Sequence, residues 1–451
     1  VIGVLHTARL ELRVVKNHGD RIQAQYLALA GIEKAKALLY RDALERRRSA
    51  RNHGGELFDA PSHFQDVSFG RGQFRVFHQS RRDEGSRILY GVSDEESRLN
   101  LNRASAEALG KLYGMTPEIV AAILDWKDKD NTVTPSGAEA EYYMSRRPPS
   151  LPRNGPFQTT RELAMVRGVS RELFLGEDAN QNGLLDPTEN DGRASFPPDN
   201  ADGLLDAGWS ELLTVDSEVQ NVSAAGQKRV NIQSDEEKAL AGVPGISSDL
   251  AKAIVAYRGQ KKFENLADLL DVTAVSPQGP SSTPANPPPN PTPQGASRGP
   301  GAPRTAPSAP SPSPPATQFV GPKLIDETLF MEIADSLTTD DDTQPGAINI
   351  NTASPAVLAC LPGVSHELAQ AMVAYRKSAG FFTNLAWLLK VDGMNRDIFK
   401  QMAPLVTARS ETFRILSEGK VTSSGARQRI QAIVRLGAIG IDTLAYREDD
   451  L

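Results

Sequence analysis

Three stretches of this chain repeat one pattern of apolar and polar positions. Leu99–Trp126, Val230–Arg258 and Ile348–Arg376 each begin on an Asn-bearing apolar lead-in. An apolar helix follows, then a tight turn, then a second apolar helix. The turns read Gly114-Met115-Thr116, Pro244-Gly245-Ile246-Ser247 and Pro362-Gly363-Val364-Ser365, which is the pattern of a helix-hairpin-helix. Upstream, Ile22, Tyr26, Leu29, Ile32 and Leu39 form a helical stripe, predicting one long N-terminal helix that packs one face on a domain. From His63 to Arg98 the period shortens to two, which predicts a short antiparallel meander. Alternation returns in Glu411–Leu416 and Arg427–Leu436, either side of a Gly/Ser turn. Late strands after an early helix and meander imply one sheet built from both ends of the chain, with the helical segments inserted between. The fold class expected is α+β.

A chain of 451 residues exceeds one compact core, and about two to four domains are expected. A net charge of −6 gives no general attraction to nucleic acid or anionic lipid. Cys360 is the lone cysteine, so no intramolecular disulfide can form, which suits a reducing compartment or a periplasm equally. No run of about eighteen apolar residues occurs. The start at Val1, inside the apolar phrase V-I-G-V-L, suggests that an upstream segment has been removed. Residues 276–318 hold fifteen of the 31 prolines and are expected to form an extended, mobile linker.

Hairpins that bind DNA place a G-h-G turn against the phosphate backbone, the second glycine permitting close approach. All three turns here lack that second glycine, and basic side chains near them are few: Lys252 follows the second turn, Glu118 the first and Glu367 the third. The preferred reading is that the hairpins are packing modules, with DNA binding as the rival.

The acidic stretch 178–206 carries the clearest candidate chemistry. Asp178, Asn180, Asn182, Gly183, Leu184, Asp186 and Glu189 match the D-x-[DN]-x-[DN]-G-x5-E calcium loop. Side-chain oxygens would come from Asp178, Asn180 and Asn182, a carbonyl from Leu184, a direct or water-borne contact from Asp186, and a bidentate closure from Glu189. A second phrase with Asn200, Asp202 and Asp206 repeats the pattern, but has Pro198 in the first ligand position and Trp209 in the last. Asp199 could join its cluster, and a solvated loop is the alternative. Asp125, Asp128 and Asp130 read as a solvated helix end, with cation binding as the alternative. The pairs Glu95/Glu96 and Asp340–Asp342 read as exposed. No catalytic constellation, phosphate loop or His/Cys cluster is present, so no enzyme is expected.

Several of these residues resemble one family closely. Leu99-Asn100-Leu101-Asn102, Asp125-Trp126 with Asp128 and Asp130, and Ser136-Gly137-Ala138-Glu139 followed by Tyr142-Tyr143 are similar to the type II secretion minor pseudopilin GspK. So, in the same order, are Pro148-Pro149, Asn154-Gly155-Pro156, Glu162-Leu163 and Val166–Val169, and the closing V-T-A-R-S-E-T-F-R-I. The resemblance implies a pilin-type N-terminal helix, a small antiparallel sheet, and an inserted helical domain with calcium and hairpin motifs. It implies a non-enzymatic subunit at the tip of the periplasmic pseudopilus, held beforehand in the inner membrane by a hydrophobic half-helix mostly missing here. Its partners would be the minor pseudopilins I and J, with H a further candidate and secreted cargo a possible contact.

The domains expected are the N-terminal helix at 1–48, first strands at 60–98, and an inserted helical domain with two hairpins at 99–274. A Pro-rich linker at 275–318, a third hairpin module at 319–408 and closing strands at 409–441 follow. Ile22, Tyr26 and Leu29 would pack against partner helices, and calcium would be structural. The rivals are a competence-type DNA receptor and a calcium-dependent adhesin.

Overall fold

Small residues at helical spacing let a helix lie close on a sheet, and Ala24, Ala28 and Ala35 do so in the first helix, Ile2–Ser49. The computed structural model describes residues 2–52, 55–80, 85, 87–180, 182–196, 198–274 and 322–448, with the side chains of 2–5 and 8 outside that description. Approach is closest at Gly419, where a Cβ would fall 2.0 Å from the carbonyl oxygen of Ala24.

The sheet beneath the helix runs Val67–Phe69, Gly72–Val76, Thr412–Val421, Arg427–Leu436, Ile441–Arg447, with Ser93–Asp94 also pairing the Thr412–Val421 strand. Its ladders are antiparallel, and its centre comes from the C-terminal end of the chain. Two expectations are corrected. The 63–98 segment is not one meander: His78–Gln79 and Ile88–Leu89 form a separate ladder, and Ser93–Asp94 joins from the side. The closing strands continue past 441, because Ile441–Arg447 adds an edge strand.

Between the sheet's two halves lie three copies of one unit. Each lead-in strand pairs in parallel with a returning strand that ends on threonine. The pairs are Leu99–Asn100 with Leu213–Thr214, Val230–Asn231 with Leu337–Thr338, and Ile348–Asn349 with Val406–Thr407. In each, an aromatic at the end of the hairpin's second helix faces a phenylalanine: Trp126 with Phe157, Tyr257 with Phe263, Tyr375 with Phe382, at 6.3, 4.8 and 5.1 Å between ring centres. Each copy also holds a second short hairpin-like pair that the sequence reading missed. These are Thr160–Met165 with Arg171–Leu175, Leu266–Asp271 with Glu327–Ile333, and Leu385–Lys390 with Arg396–Met402.

This repeat corrects the division at the Pro-rich segment. Thr273 bridges Lys323, and Leu324 N–H donates to the Val272 carbonyl at 3.0 Å, so the chain leaves and re-enters the second copy at one place. The segment is therefore an insertion within that copy and does not divide two modules; residues 275–318 themselves lie outside the described residues. Leu324–Thr338 belongs to the second unit, not to a third module at 319–408. All three units share one apolar core running from Leu99 to Val406.

Glu95 and Glu96, expected to be exposed, are fully buried where the units meet the sheet. Glu95 accepts from Arg98 Nη1 at 2.5 Å and pairs with Arg414 Nε at 2.7 Å, while Glu96 accepts backbone N–H groups of Glu218 and Thr412. Their burial depends on strands more than 300 positions away, which no local pattern carries. Asp340–Asp342 are exposed, in line with the reading.

Candidate functional site

The 178–189 loop closes around its own carboxylates. Asp178 accepts the N–H groups of Asn182 and Gly183 at 3.0 and 2.9 Å, and the side-chain amides of Asn180 and Asn182 both donate to Asp186 Oδ2. Glu189 accepts Ala179 N–H on one oxygen and Asp186 N–H on the other. Asp178, Asn180, Asn182, Asp186 and Glu189 are thus brought together, with Gly183 at φ +70 supplying the left-handed turn. Burial, and then the charges of Asp178 and Asp186, raise the Glu189 carboxyl to about 7. Leu184 sends its side chain into a small core with Phe77 and Leu416 of the sheet side.

The second phrase is organised differently. Asp199 turns towards 191–192 and accepts N–H groups of Asp191 and Gly192, while Asn200 and Asp202 each accept the amide two residues on. Trp209, in the closing position, is a core residue whose Nε1 donates to the Tyr113 carbonyl at 2.8 Å. A carboxylate does close this loop, but from upstream. Glu177 accepts Asn200 N–H at 3.2 Å and Asp206 N–H at 3.1 Å, as Glu189 does for the first loop. The sequence reading missed Glu177, and its one available signal was adjacency to Asp178.

The reading of Asp125 as part of a solvated helix end is corrected: Asp125 is fully buried, and both its oxygens accept Thr134 N–H at 3.2 Å. The 128–139 segment folds back over the helix end. Asp128 is half-buried there, while Asp130 stays exposed.

The hairpin turns are covered by their own units. A Cβ on Gly114 would lie 2.5 Å from Leu173, on Gly245 3.0 Å from Ile333, and on Gly363 3.4 Å from Ile398. The second helices start on Thr116, Ser247 and Ser365, each capping the amide three residues on, and their exposed first turns carry Glu118, Asp249 and Glu367. Carboxylates therefore stand where a phosphate would have to approach.

Of the residues assigned to partner packing, Ile22 and Tyr26 are 41% and 67% exposed, and Leu29 is half-buried against the helix–sheet core. The predicted stripe therefore divides, since Ile32 and Leu39 are buried.

A family model described as "Type II secretion system (T2SS), protein K" matches residues 89–175, and one described as "Helix-hairpin-helix motif" matches 226–279 and 344–407. The chain is 30% identical over 172 residues to type II secretion system protein K of Klebsiella pneumoniae, covering 34% of this chain and 48% of that protein. It is also 30% identical over 173 residues to the endonuclease/exonuclease/phosphatase family domain-containing protein 1 of Homo sapiens, covering 38% of this chain and 26% of that protein. The chain thus spans about half of the first relative and about a quarter of the second. The solved GspK-GspI-GspJ complex from the enterotoxigenic Escherichia coli type 2 secretion system aligns over 99% of this chain and 100% of that chain. It does so at 12% identity with a TM-score of 0.36, a likeness too loose to carry an argument.

Proposed function

We propose that this chain is a member of the protein K family of type II secretion systems, to which residues 89–175 are similar, and that it is a non-enzymatic minor pseudopilin at the tip of the pseudopilus. The observation that carries the reading is the division of the first helix into two faces. Ala24, Ala28 and Ala35 lie on the sheet, whereas Leu12, Val15, Ile22 and Tyr26 share the opposite stripe at 3.6 residues per turn and are exposed. An apolar stripe of that length on an extended helix needs a covering partner. Parallel helices of minor pseudopilins I and J, with H a further candidate, would supply it. The three-unit body would cap the filament and meet secreted cargo.

Calcium is proposed as the ion of the 178–189 loop. The donors are all oxygen, as calcium prefers, and a divalent ion would offset the mutually repelling carboxylates of buried Asp178 and Glu189 and half-buried Asp186. The ion would fix the loop's position against the sheet, and in Asp178, Asn180, Asn182, Asp186 and Glu189 it would find its ligands. A periplasmic site of action, with attachment to the inner membrane, completes the proposal. No described helix is long and apolar enough to cross a membrane.

The test is co-elution of the folded chain with the soluble domains of candidate I and J partners in calcium. A ternary peak that Ile22→Asp/Tyr26→Arg abolishes is the expected result. Absence of any complex at micromolar concentrations would remove the tip-subunit reading.

A further inference from the structure

Side chains alternate across a strand, and in Thr412–Val421 Ser417 and Gly419 turn to the first helix, meeting it at Gly31 and Ala24. Arg414, Leu416, Glu418 and Lys420 therefore face the other way. The body covers only part of that second face, where Leu416 packs with Phe77 and Leu184. Beyond Phe77, whose ring lies 4.5 Å from the Arg75 guanidinium, the ladder sets Arg75 and Arg429 on either side of Glu418, and Arg427 opposite Lys420.

Glu418 is 3% exposed, and three guanidiniums share it. Arg75 Nη2 lies at 3.0 Å, Arg429 Nε at 2.9 Å and Arg427 Nη1 at 3.7 Å. One carboxylate cannot neutralise them all. Among the described residues the Arg427 guanidinium donates no hydrogen bond, and Lys420 has no ion-pair partner. Like charges directly opposite one another destabilise a ladder, so the Lys420–Arg427 pair works against the fold. A hollow of about 180 Å³ opens here, lined by Asp66, Gln73, Arg75, Glu418, Lys420 and Arg427. Asp66 on its rim accepts from Gln73 Nε2 at 3.2 Å. With Arg429, four cations stand against two carboxylates, on a chain whose net charge is −6.

We propose that this basic end of the sheet is a docking surface for an acidic segment of a protein partner, its carboxylates entering the hollow between Lys420 and Arg427. Guanidinium forks match carboxylates, and Glu418 beneath them already displays that pairing. An incoming carboxylate would also relieve the repulsion between Lys420 and Arg427. The cations converge on one hollow and do not form the row that successive phosphates of a nucleic acid need. A hollow takes a projecting side chain, which a protein loop supplies and a flat bilayer surface does not. The surface lies across the sheet from the first helix, so the inference holds whether or not the pseudopilin reading does.

The probe is a fluorescein-labelled peptide of consecutive glutamates, titrated with the full chain and followed by polarisation. Binding is expected at about 50 mM salt and should weaken by about 200 mM. Lys420→Glu/Arg427→Glu should weaken it about 10-fold or more. Lys420→Glu alone should melt no lower than the parent, since it turns a like-charge cross-strand pair into an opposite one, yet still bind the peptide less well. Lys238→Glu/Lys252→Glu makes the same change of net charge on exposed positions of the body and should leave binding unaltered. Equal losses in the two double variants would mean a response to net charge alone and would overturn the proposal. So would no binding of the peptide by the folded parent, including the case in which phosphatidylglycerol vesicles or a labelled duplex bind instead.

Discussion

Arg447, on the last strand of the sheet, donates from Nη2 to the carbonyl oxygen of Asn180 at 2.8 Å. The same loop is held again where Leu185 N–H donates to Gln79 Oε1 at 2.7 Å, and Leu184 packs on Phe77 and Leu416. The proposed calcium loop is thus a strut between the three-unit body and the sheet. Calcium added to the chelator-treated chain is expected to raise its melting temperature, and Glu189→Gln to remove most of that rise. Arg447→Ala should cost about 1 kcal/mol in calcium affinity by loosening the strut. Calorimetry checks both, and an equal calcium response in Glu189→Gln and the parent would refute the assignment.

The Pro-rich insertion is expected to be dispensable for folding. Its flanks already pair, with Ala274 N–H donating to the Pro322 carbonyl at 3.1 Å beside the Thr273–Lys323 bridge. Replacing 275–321 by Asn-Gly supplies a two-residue hairpin turn suited to that pairing. The shortened chain should melt within a few degrees of the parent. Phe330→Ala, just past the insertion, should instead cost about 3–5 kcal/mol, because that ring is buried edge-on against Phe399 and joins the second unit to the third. If deletion unfolds the chain, the insertion is a structural part of the second unit.

Asp216 sets a pH dependence at the junction of body and sheet. Burial, and then the nearby Glu95 charge, push it up to about 6 in spite of Arg414 and Arg435. Unfolded, the carboxyl titrates near about 3.9, so between those values the folded chain holds the extra proton. Its contribution to stability therefore falls as pH rises from about 4 to about 6 and stays reduced above. Asp216→Asn is expected to be more stable than the parent by about 1–3 kcal/mol at pH 7 and equal to it near pH 4. Denaturant melts at both pH values decide it, and a variant destabilised at pH 7 would show that Arg414 and Arg435 outweigh burial.

What the sequence made legible follows the range of each interaction. The first hairpins could be read because their apolar spacing, turn glycine and Ser/Thr cap lie within one short window, as in Pro362–Met372. The second hairpins share that logic, visible in Val166–Phe174 beside Val391–Phe399, but the insertion splits the middle copy and hides the period. The first acidic loop was legible for the same local reason. Glu177, Glu95 and Asp125 were not, since each acquires its surroundings from chain that folds back over it. A carboxylate in a polar run looks solvated until Thr412 or Gly137 arrives beside it.

The hairpins are expected not to bind DNA, although their pattern is one that DNA-binding proteins use. Retention on duplex needs several phosphates neutralised by Lys or Arg, and affinity grows with each. Here the exposed first turns carry Glu118, Asp249 and Glu367, so three helix N-termini offer a carboxylate before an amide. The turn glycines lie under Leu173, Ile333 and Ile398, which leaves their backbone no open face on that side. The full chain at low micromolar concentration should therefore leave a labelled duplex unshifted even at about 50 mM salt. Binding that weakens steeply between about 50 and 200 mM salt would mean that phosphates are being contacted after all. The packing role of the hairpins would then give way to the DNA-receptor reading, and the acidic first turns would have to lie away from the contact surface.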